Sequence, residues 1–433
     1  MNMLTIVGPL LAFLPLNHGF LTSSNTFNKV ALVKPQATIK PSHFSKPAPL
    51  SSTIGIVDTV VDPEHDQTRK QVIRLPYEPG SQVIGIPIIA DMIGDEGPAD
   101  IEAIGGLYRP EFTKFSRINA MVSENMSVDF EEAKWYLRKA RDMKFMQEYS
   151  HYSHASHGTH VAGVAIKDNQ EAKYLSIRFI HEFVFAFDEA QMKTIRTADN
   201  KKLLSSVIES SIAQNLNTMI LGLQQRYYSL AGVANQFSID VLNLSLGIPP
   251  GRVVIENILA VNDLYLADDK ISALAAQYDL AIGEIIRNCI MQTPRTIFVF
   301  AAGNEKLNVD KVPYLYHISK HPRGIVVGAV DENHKLAEFS NFGHDVVNIA
   351  AEGVDVPSST PGNGMLYMSG TSMAAPAVTH AVARLIDAGL NPMQVKQVLM
   401  ETSTKYKELK DTIESGVLNE DAALEKAMDM INS

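Results

Sequence analysis

The chain has 433 residues and a formal net charge of −10 from 38 basic and 48 acidic side chains, enough length for one large α/β domain or two ordinary ones. That acidity excludes a nucleic-acid surface, which needs clustered Lys and Arg, and its even spread reads as solubility rather than a partner code. Hydrophobic residues make up 45% of the chain, ample for a core, and the single cysteine, Cys289, excludes an internal disulfide.

Taken in order, Met3 to Leu16 is apolar but interrupted by Gly8, Pro9 and Pro15. It is too short for a membrane span and suits the hydrophobic region of a signal peptide, so residues 1–20 predict a secreted or periplasmic protein. Residues 21–52 are rich in Ser, Thr, Asn, Pro and Lys, without periodicity, and read as a linker or arm. From residue 53 to 433 the pattern is that of one domain carrying insertions near 68–150 and 181–295. Thr53–Asp58 is a β-branched strand closed by a carboxylate, followed by a second apolar strand at Val83–Ala90 and an acidic loop at Asp91–Asp100. A helix is predicted over Phe130–Tyr149, opened by Ser127 or Asp129, with Trp135 and Leu137 to dock it on the domain.

Further on, Ser156-His157-Gly158-Thr159-His160 starts a helix of small residues that runs through Gly163. His151, His154, His157 and His160 recur every third residue, a spacing at which imidazoles can share a zinc ion. No glutamate-bearing zinc pattern accompanies them, so metal is not the favoured reading and no metal ligand is assigned. The next elements are a strand at Tyr174–Ile180, a helix at Leu203–Leu216 that looks overlong through Gln225, a strand at Ile239–Leu246, and helical material over Ile255–Ile290. The last of these carries Cys289 in an apolar run and makes it a packing residue. Buried strands follow at Thr296–Asn304, ending in an amide, and at Gly324–Val330. Strands alternating with helices imply a mostly parallel sheet covered on both faces.

The stretch Ser369-Gly370-Thr371-Ser372-Met373-Ala374-Ala375-Pro376 opens a helix that is apolar nearly all round. Pro376 is expected in its first turn, where N–H groups lack intrahelical partners. A serine there is most simply an N-cap. It also faces the positive end of the helix dipole, where charge developing in acyl transfer is stabilised. Asn391-Pro392 then starts another helix with good cap chemistry, and Gly416–Ala427 closes the domain.

Four segments in chain order decide between the two readings of Ser372. They are Ile54-Gly55-Ile56-Val57-Asp58, Ser156-His157-Gly158-Thr159-His160-Val161-Ala162-Gly163, Ala301-Ala302-Gly303-Asn304, and Gly370-Thr371-Ser372-Met373. Together they resemble the subtilisin-like serine peptidases, whose Asp, His and Ser follow one another in that order. The resemblance implies a three-layer α/β/α subtilisin-like fold for residues 53–433. It implies catalytic Asp58, His157 and Ser372, an oxyanion hole at Asn304 and the Ser372 N–H, and His160 as a packed neighbour. Substrate-binding residues would be Ser245, Leu246 and Gly247, which pair with an extended peptide, and Ala302 and Gly303. The implied activity is a serine endopeptidase acting on polypeptide, with a catalytically silent peptide-binding domain as the alternative and ester or transpeptidase chemistry as a third reading. No cofactor is required. Calcium would serve stability only, and its usual site is incomplete: Asp62 and His65 fit the family pattern, but Gln67 stands where an acidic ligand is usual. Val60 stands where the family has glycine, and the residues before Thr53 are too few for the folded propeptide common in the family.

Overall fold

Alternate residues of the apolar strands enter two separate cores, and that alternation sets the layers. The computed structural model describes residues 52–59, 61–62, 65–67, 69–73, 111–112, 114–116, 118, 128–168, 172–179 and 185–432. Six parallel strands, β1 (Thr53–Asp58), β2 (Lys173–Arg178), β3 (Val241–Leu244), β4 (Ile297–Ala301), β5 (Gly324–Val330) and β6 (Ile349–Glu352), form one sheet in the order β2-β1-β3-β4-β5-β6. Val57, Leu242, Phe298 and Val326 point into one core; Ile54, Ile56, Val241, Ile297 and Ile325 point into the other. Every residue of β3, β4 and β5 is buried, as expected of strands covered on both faces.

The first core is covered by α3 (Glu189–Arg196), α4 (Lys201–Gln236), α5 (Gly251–Val261), α6 (Asp268–Gln292) and α7 (Pro313–Lys320). The second is covered by the C-terminal half of α2 (Met143–Ala165), by α8 (Thr371–Asp387), and by α9 (Pro392–Thr402) and α10 (Glu420–Asn432). This is the three-layer α/β/α arrangement the sequence predicts. Each fully buried Leu, Ile or Phe contributes about 1.5–3 kcal/mol, so the two cores carry most of the stabilisation. A separate antiparallel hairpin, β7 (Val356–Thr360) and β8 (Gly364–Met368), lies just ahead of α8 in the chain.

The chain divides into two compact units, the smaller including residues 110–146 and the larger residues 46–109 and 147–433. In the smaller unit, α1 (Phe130–Ala140) is capped by Asp129, whose carboxylate accepts from the N–H groups of Glu131 and Glu132. Phe115 stacks on Tyr136 at 4.7 Å between ring centroids, and Phe145 meets both Phe112 and Phe115 at 5.3 Å. Trp135 finds its partners in this unit too, with Phe115 at 6.4 Å and the Lys114 ammonium 4.8 Å from its ring centroid.

Three predicted boundaries move. The single helix expected over Phe130–Tyr149 is two helices, because the Asp142 carboxylate caps a new start by accepting from the Phe145 N–H at 3.1 Å. That new helix, α2, already runs through Ser156, so His157 sits well inside a 23-residue helix rather than at its opening. The pattern at Leu203–Leu216 extends into a 36-residue helix, α4, which absorbs the surplus length before β3. Val60, the strand at Val83–Ala90 and the loop at Asp91–Asp100 lie outside the described residues, as do residues 1–51 and the side chains of His151 and His154. Among the described residues, no helix is long and apolar enough to cross a membrane.

Candidate active site

Strand register brings the site together. Val57 is level with Leu244, and Leu244 with Phe300, so Asp58, Ser245 and Ala301 stand side by side at the C-terminal ends of three adjacent strands. The open edge beyond the carboxyl ends of parallel strands is where ligands enter such sheets. α2 and α8 pack beneath this edge in the second core.

Asp58 is 1% exposed, and its Oδ1 accepts three hydrogen bonds. These come from the Thr59 N–H at 2.8 Å, the Thr59 hydroxyl at 3.1 Å and His157 Nδ1 at 2.7 Å. Oδ2 is buried and makes no hydrogen bond among the described residues. With Nδ1–H donated to the carboxylate, the lone pair of the neutral imidazole is on Nε2. Burial works against the charged ring, but the Asp58 charge and its hydrogen bond outweigh it, and the His157 pKa is raised above its ordinary value.

Ser372 is buried in the first turn of α8, and its hydroxyl donates to the Ser245 carbonyl at 3.0 Å. His157 Nε2 makes no hydrogen bond among the described residues. The structure therefore joins Asp58 to His157, and Ser372 to Ser245, with no hydrogen bond between His157 and Ser372 among the described residues. The Ser372 N–H is the second of the helix and has no intrahelical acceptor.

Asn304 is fixed by Thr371, whose N–H and hydroxyl both donate to its Oδ1 at 2.9 Å. These two donors orient the amide, leaving Nδ2 as its free donor end. Thr371 is held in turn by the Gly303 N–H, which donates to its hydroxyl at 3.1 Å. A side chain added at Gly370 would stand 3.5 Å from Asn304 Nδ2 and 3.6 Å from the Ser372 nitrogen, so the two donors border the same space.

Gly303 needs to be glycine. Its φ is +103°, and a Cβ would lie 2.4 Å from Asn341 Nδ2 and 2.6 Å from Glu305 Oε2. Asn341 ties this corner together, donating to the Ala302 carbonyl at 2.9 Å and accepting from the N–H groups of Glu305 and Leu307. The Ala302 N–H is also taken, by the Val327 carbonyl at 2.9 Å. Ala302 and Gly303 therefore shape this corner by their backbone path, with their polar groups turned inward. After β3, Ser245 is buried, Leu246 is half-buried against the first core, and Gly247 is exposed with open space over its Cα.

His160 is fully buried on the next turn of α2. Its Nε2–H donates to the carbonyls of Val356 at 2.8 Å and Leu366 at 3.2 Å, which pins the β7–β8 hairpin, and burial pushes its pKa down to about 4. Gly163 permits the same close approach, since a Cβ there would meet Ser359 Oγ at 2.2 Å. On the hairpin turn, Asp62 Oδ2 accepts from the Gly362 N–H at 3.0 Å, and His65 Nε2 donates to the Gly364 carbonyl at 3.1 Å. Among the described residues, no group of three or more His, Cys, Asp or Glu side chains could hold a metal. Cys289 is buried, and burial pushes its thiol pKa well up, which suits packing rather than chemistry.

One sequence expectation is overturned inside the site. Pro376 is not in the first turn: α8 begins at Thr371, which makes proline the sixth helical residue. A residue at that point normally donates its N–H to the carbonyl four back, here that of Ser372. Ser245, with Asn243 and Thr379, supplies a hydrogen bond to that carbonyl from outside the helix. The signal for them was the four-residue spacing from Ser372 to Pro376.

The family model described as the Subtilase family matches residues 51–418. The chain belongs to the subtilase family. Among curated relatives, this subtilase is 40% identical over 110 residues to the thermophilic serine proteinase of Bacillus sp. (strain AK1), covering 25% of the chain and 26% of the relative. It is 32% identical over 173 residues to subtilisin DY of Bacillus licheniformis, covering 40% of the chain and 52% of the relative. The matches thus span about a quarter to a half of the length of these relatives. Among solved structures, the patellamide maturation protease PatA aligns over 88% of this chain and 98% of its own, at 16% identity and a TM-score of 0.43.

Proposed function

We propose that this subtilase is a serine endopeptidase that hydrolyses extended polypeptides through an acyl-enzyme on Ser372. The observation that supports it most is the 2.7 Å hydrogen bond from His157 Nδ1 to the buried Asp58 carboxylate, since it leaves Nε2 as a base. A rotation about the Ser372 Cα–Cβ bond carries its hydroxyl from the Ser245 carbonyl toward Nε2. Nε2 takes the hydroxyl proton as Oγ attacks the scissile carbonyl, and Asp58 stabilises the imidazolium formed. The tetrahedral oxyanion accepts from Asn304 Nδ2 and the Ser372 N–H. Collapse breaks the C–N bond, and the imidazolium gives its proton to the leaving amine. Water, deprotonated by the same base, then releases the acid and returns Ser372.

All of these steps use side chains and main chain of this protein, and none calls for a cofactor. The substrate backbone would lie along Ser245–Gly247, where Gly247 faces open space. The apolar run Met3–Leu16 supports export, which N-terminal sequencing of protein recovered from the medium would check.

A second reading, a silent peptide-binding domain, is favoured by the Ser372 hydroxyl resting on Ser245 rather than on His157. Labelling with a fluorophosphonate, together with casein cleavage, separates the two. The endopeptidase reading expects both activities in the parent chain and neither in Ser372→Ala. A folded parent that binds peptide but does not label would establish the silent alternative instead.

A further inference from the structure

Pro376 leaves the carbonyl of the very residue proposed as nucleophile without its helical donor, and the structure fills that gap from outside the helix. The Ser245 hydroxyl donates to the Ser372 carbonyl at 2.9 Å. Ser245 is oriented in turn: its oxygen accepts from Asn243 Nδ2 at 2.9 Å, and Asn243 Oδ1 accepts from the Thr379 hydroxyl at 2.9 Å. Thr379 lies seven residues beyond Ser372, two turns along the same helix face. The circuit therefore leaves α8 at Thr379, passes through Asn243 and Ser245 at the end of β3, and returns to α8 at Ser372. Asn243 and Thr379 are fully buried and Ser245 is 3% exposed, so water does not substitute for any member.

We propose that Ser245 is a positioning residue for Ser372: its hydroxyl, set by Asn243 and Thr379, replaces the helical bond that Pro376 abolishes and fixes the Ser372 peptide. The direction of that carbonyl sets ψ of Ser372 and hence where its Cα–Cβ bond aims. Misplacement by about 1 Å at a reacting group can lower a rate by roughly 100-fold. Thr371 on the Asn304 side and Ser372 on the Ser245 side clamp consecutive residues of the first turn, so nucleophile and oxyanion donors are held as one unit. This inference rests on the acyl-enzyme reading given above.

The test is a double-mutant cycle in which an N–H is restored where proline removed it. Ser245→Ala, Pro376→Ala and the combined variant are compared with the parent by fluorophosphonate labelling rate and by kcat and KM on a peptide amide. Ser245→Ala is expected to lower kcat and the labelling rate about tenfold, the scale of one buried acceptor left unpaired, with KM within about twofold. In the Pro376→Ala background the same change is expected to lower them less than about threefold, because the alanine N–H now serves the Ser372 carbonyl. An equal loss in both backgrounds, or no loss in either, overturns the proposal. Should Ser245→Ala fail to fold, the near-isosteric Thr379→Val removes the far end of the circuit; it is expected to lower kcat about two- to fivefold, and an unchanged kcat counts against the proposal. A parent that does not label would defeat the acyl-enzyme reading itself. The coupling of positions 245 and 376 would still be read from unfolding midpoints, where additivity would reject it.

Discussion

Asp58→Asn isolates a charge from a hydrogen bond at this site. Oδ1 of Asp58 takes all three hydrogen bonds, and Oδ2 is buried without one among the described residues. An asparagine can therefore keep its carbonyl oxygen in the Oδ1 position, hold the same His157 tautomer, and place its NH2 where Oδ2 stood. What disappears is the negative charge that, in the proposed acyl transfer, would stabilise the imidazolium of the transition state. Two unit charges about 4 Å apart interact by about 4 kcal/mol at an effective dielectric of 20. The His157 side chain is 29% exposed, so water screens part of that. The expected loss is about 2–4 kcal/mol, or roughly 30- to 1000-fold in kcat. Asp58 also holds the His157 pKa up, so removing its charge moves the acidic limb of the rate profile to lower pH. The assay is kcat/KM for a peptide amide from pH 5 to 10, with near-UV circular dichroism to verify the fold. A folded Asp58→Asn variant within threefold of the parent, with the limb unmoved, would refute the argument.

Three further outcomes concern stability. His160 titrates at about 4 when folded against 6.5 ordinarily, so the unfolded chain binds its proton first and stability falls as pH drops from 6.5 toward 4. That gap is worth about 3 kcal/mol, and His160→Gln should flatten this part of the acid-denaturation curve; an unchanged slope assigns the loss elsewhere. Asp279, buried and raised to about 6 by desolvation, accepts from the Gly251 N–H at 2.8 Å and so caps α5. Its charge opposes folding most above pH 6 and ceases to do so near pH 4. Asp279→Asn, keeping the acceptor, should therefore stabilise by about 1–3 kcal/mol at pH 8 in urea titrations and by nearly nothing at pH 4. Gly303→Ala should destabilise by about 2–4 kcal/mol through left-handed strain and displacement of Asn341, and an unshifted Tm would show that this corner yields easily.

The residues of the proposed site each sit beside a strong local signal in the sequence: a strand ending in Asp58, a small-residue helix at His157, a strand ending near Asn304, and a glycine turn before Ser372. Layering was legible too, since uninterrupted apolar strands belong to a sheet covered on both sides. Helix boundaries were less so. Asp142 reads equally as a solvated charge inside one helix or as the cap of the next, and only the Phe145 N–H that it accepts decides. Pro376 lies deeper in its helix than its sequence suggests for a related reason: counting turns requires knowing the first helical residue, and the Gly370 cap has no side chain to mark it.

What no local signal carries is adjacency. Asp58, Ser245 and Asn304 are distant in sequence, and they come to one edge of the sheet because β1, β3 and β4 are neighbours whose carboxyl ends fall level. A parallel sheet written in sequence order does not state its spatial order, since each crossover permits several. The proline makes the consequence concrete. Read alone, it is a defect two residues wide in a core helix, a missing donor and a crowded carbonyl. Set beside β3, it becomes the reason that helix leans on a strand, because the carbonyl it abandons accepts the Ser245 hydroxyl instead. The same dependence ties the proposed nucleophile to the segment proposed to hold the substrate. A shift of Ser245–Gly247 on substrate binding would therefore reach Ser372 through both the bond that it accepts from Ser245 and the one that it donates back.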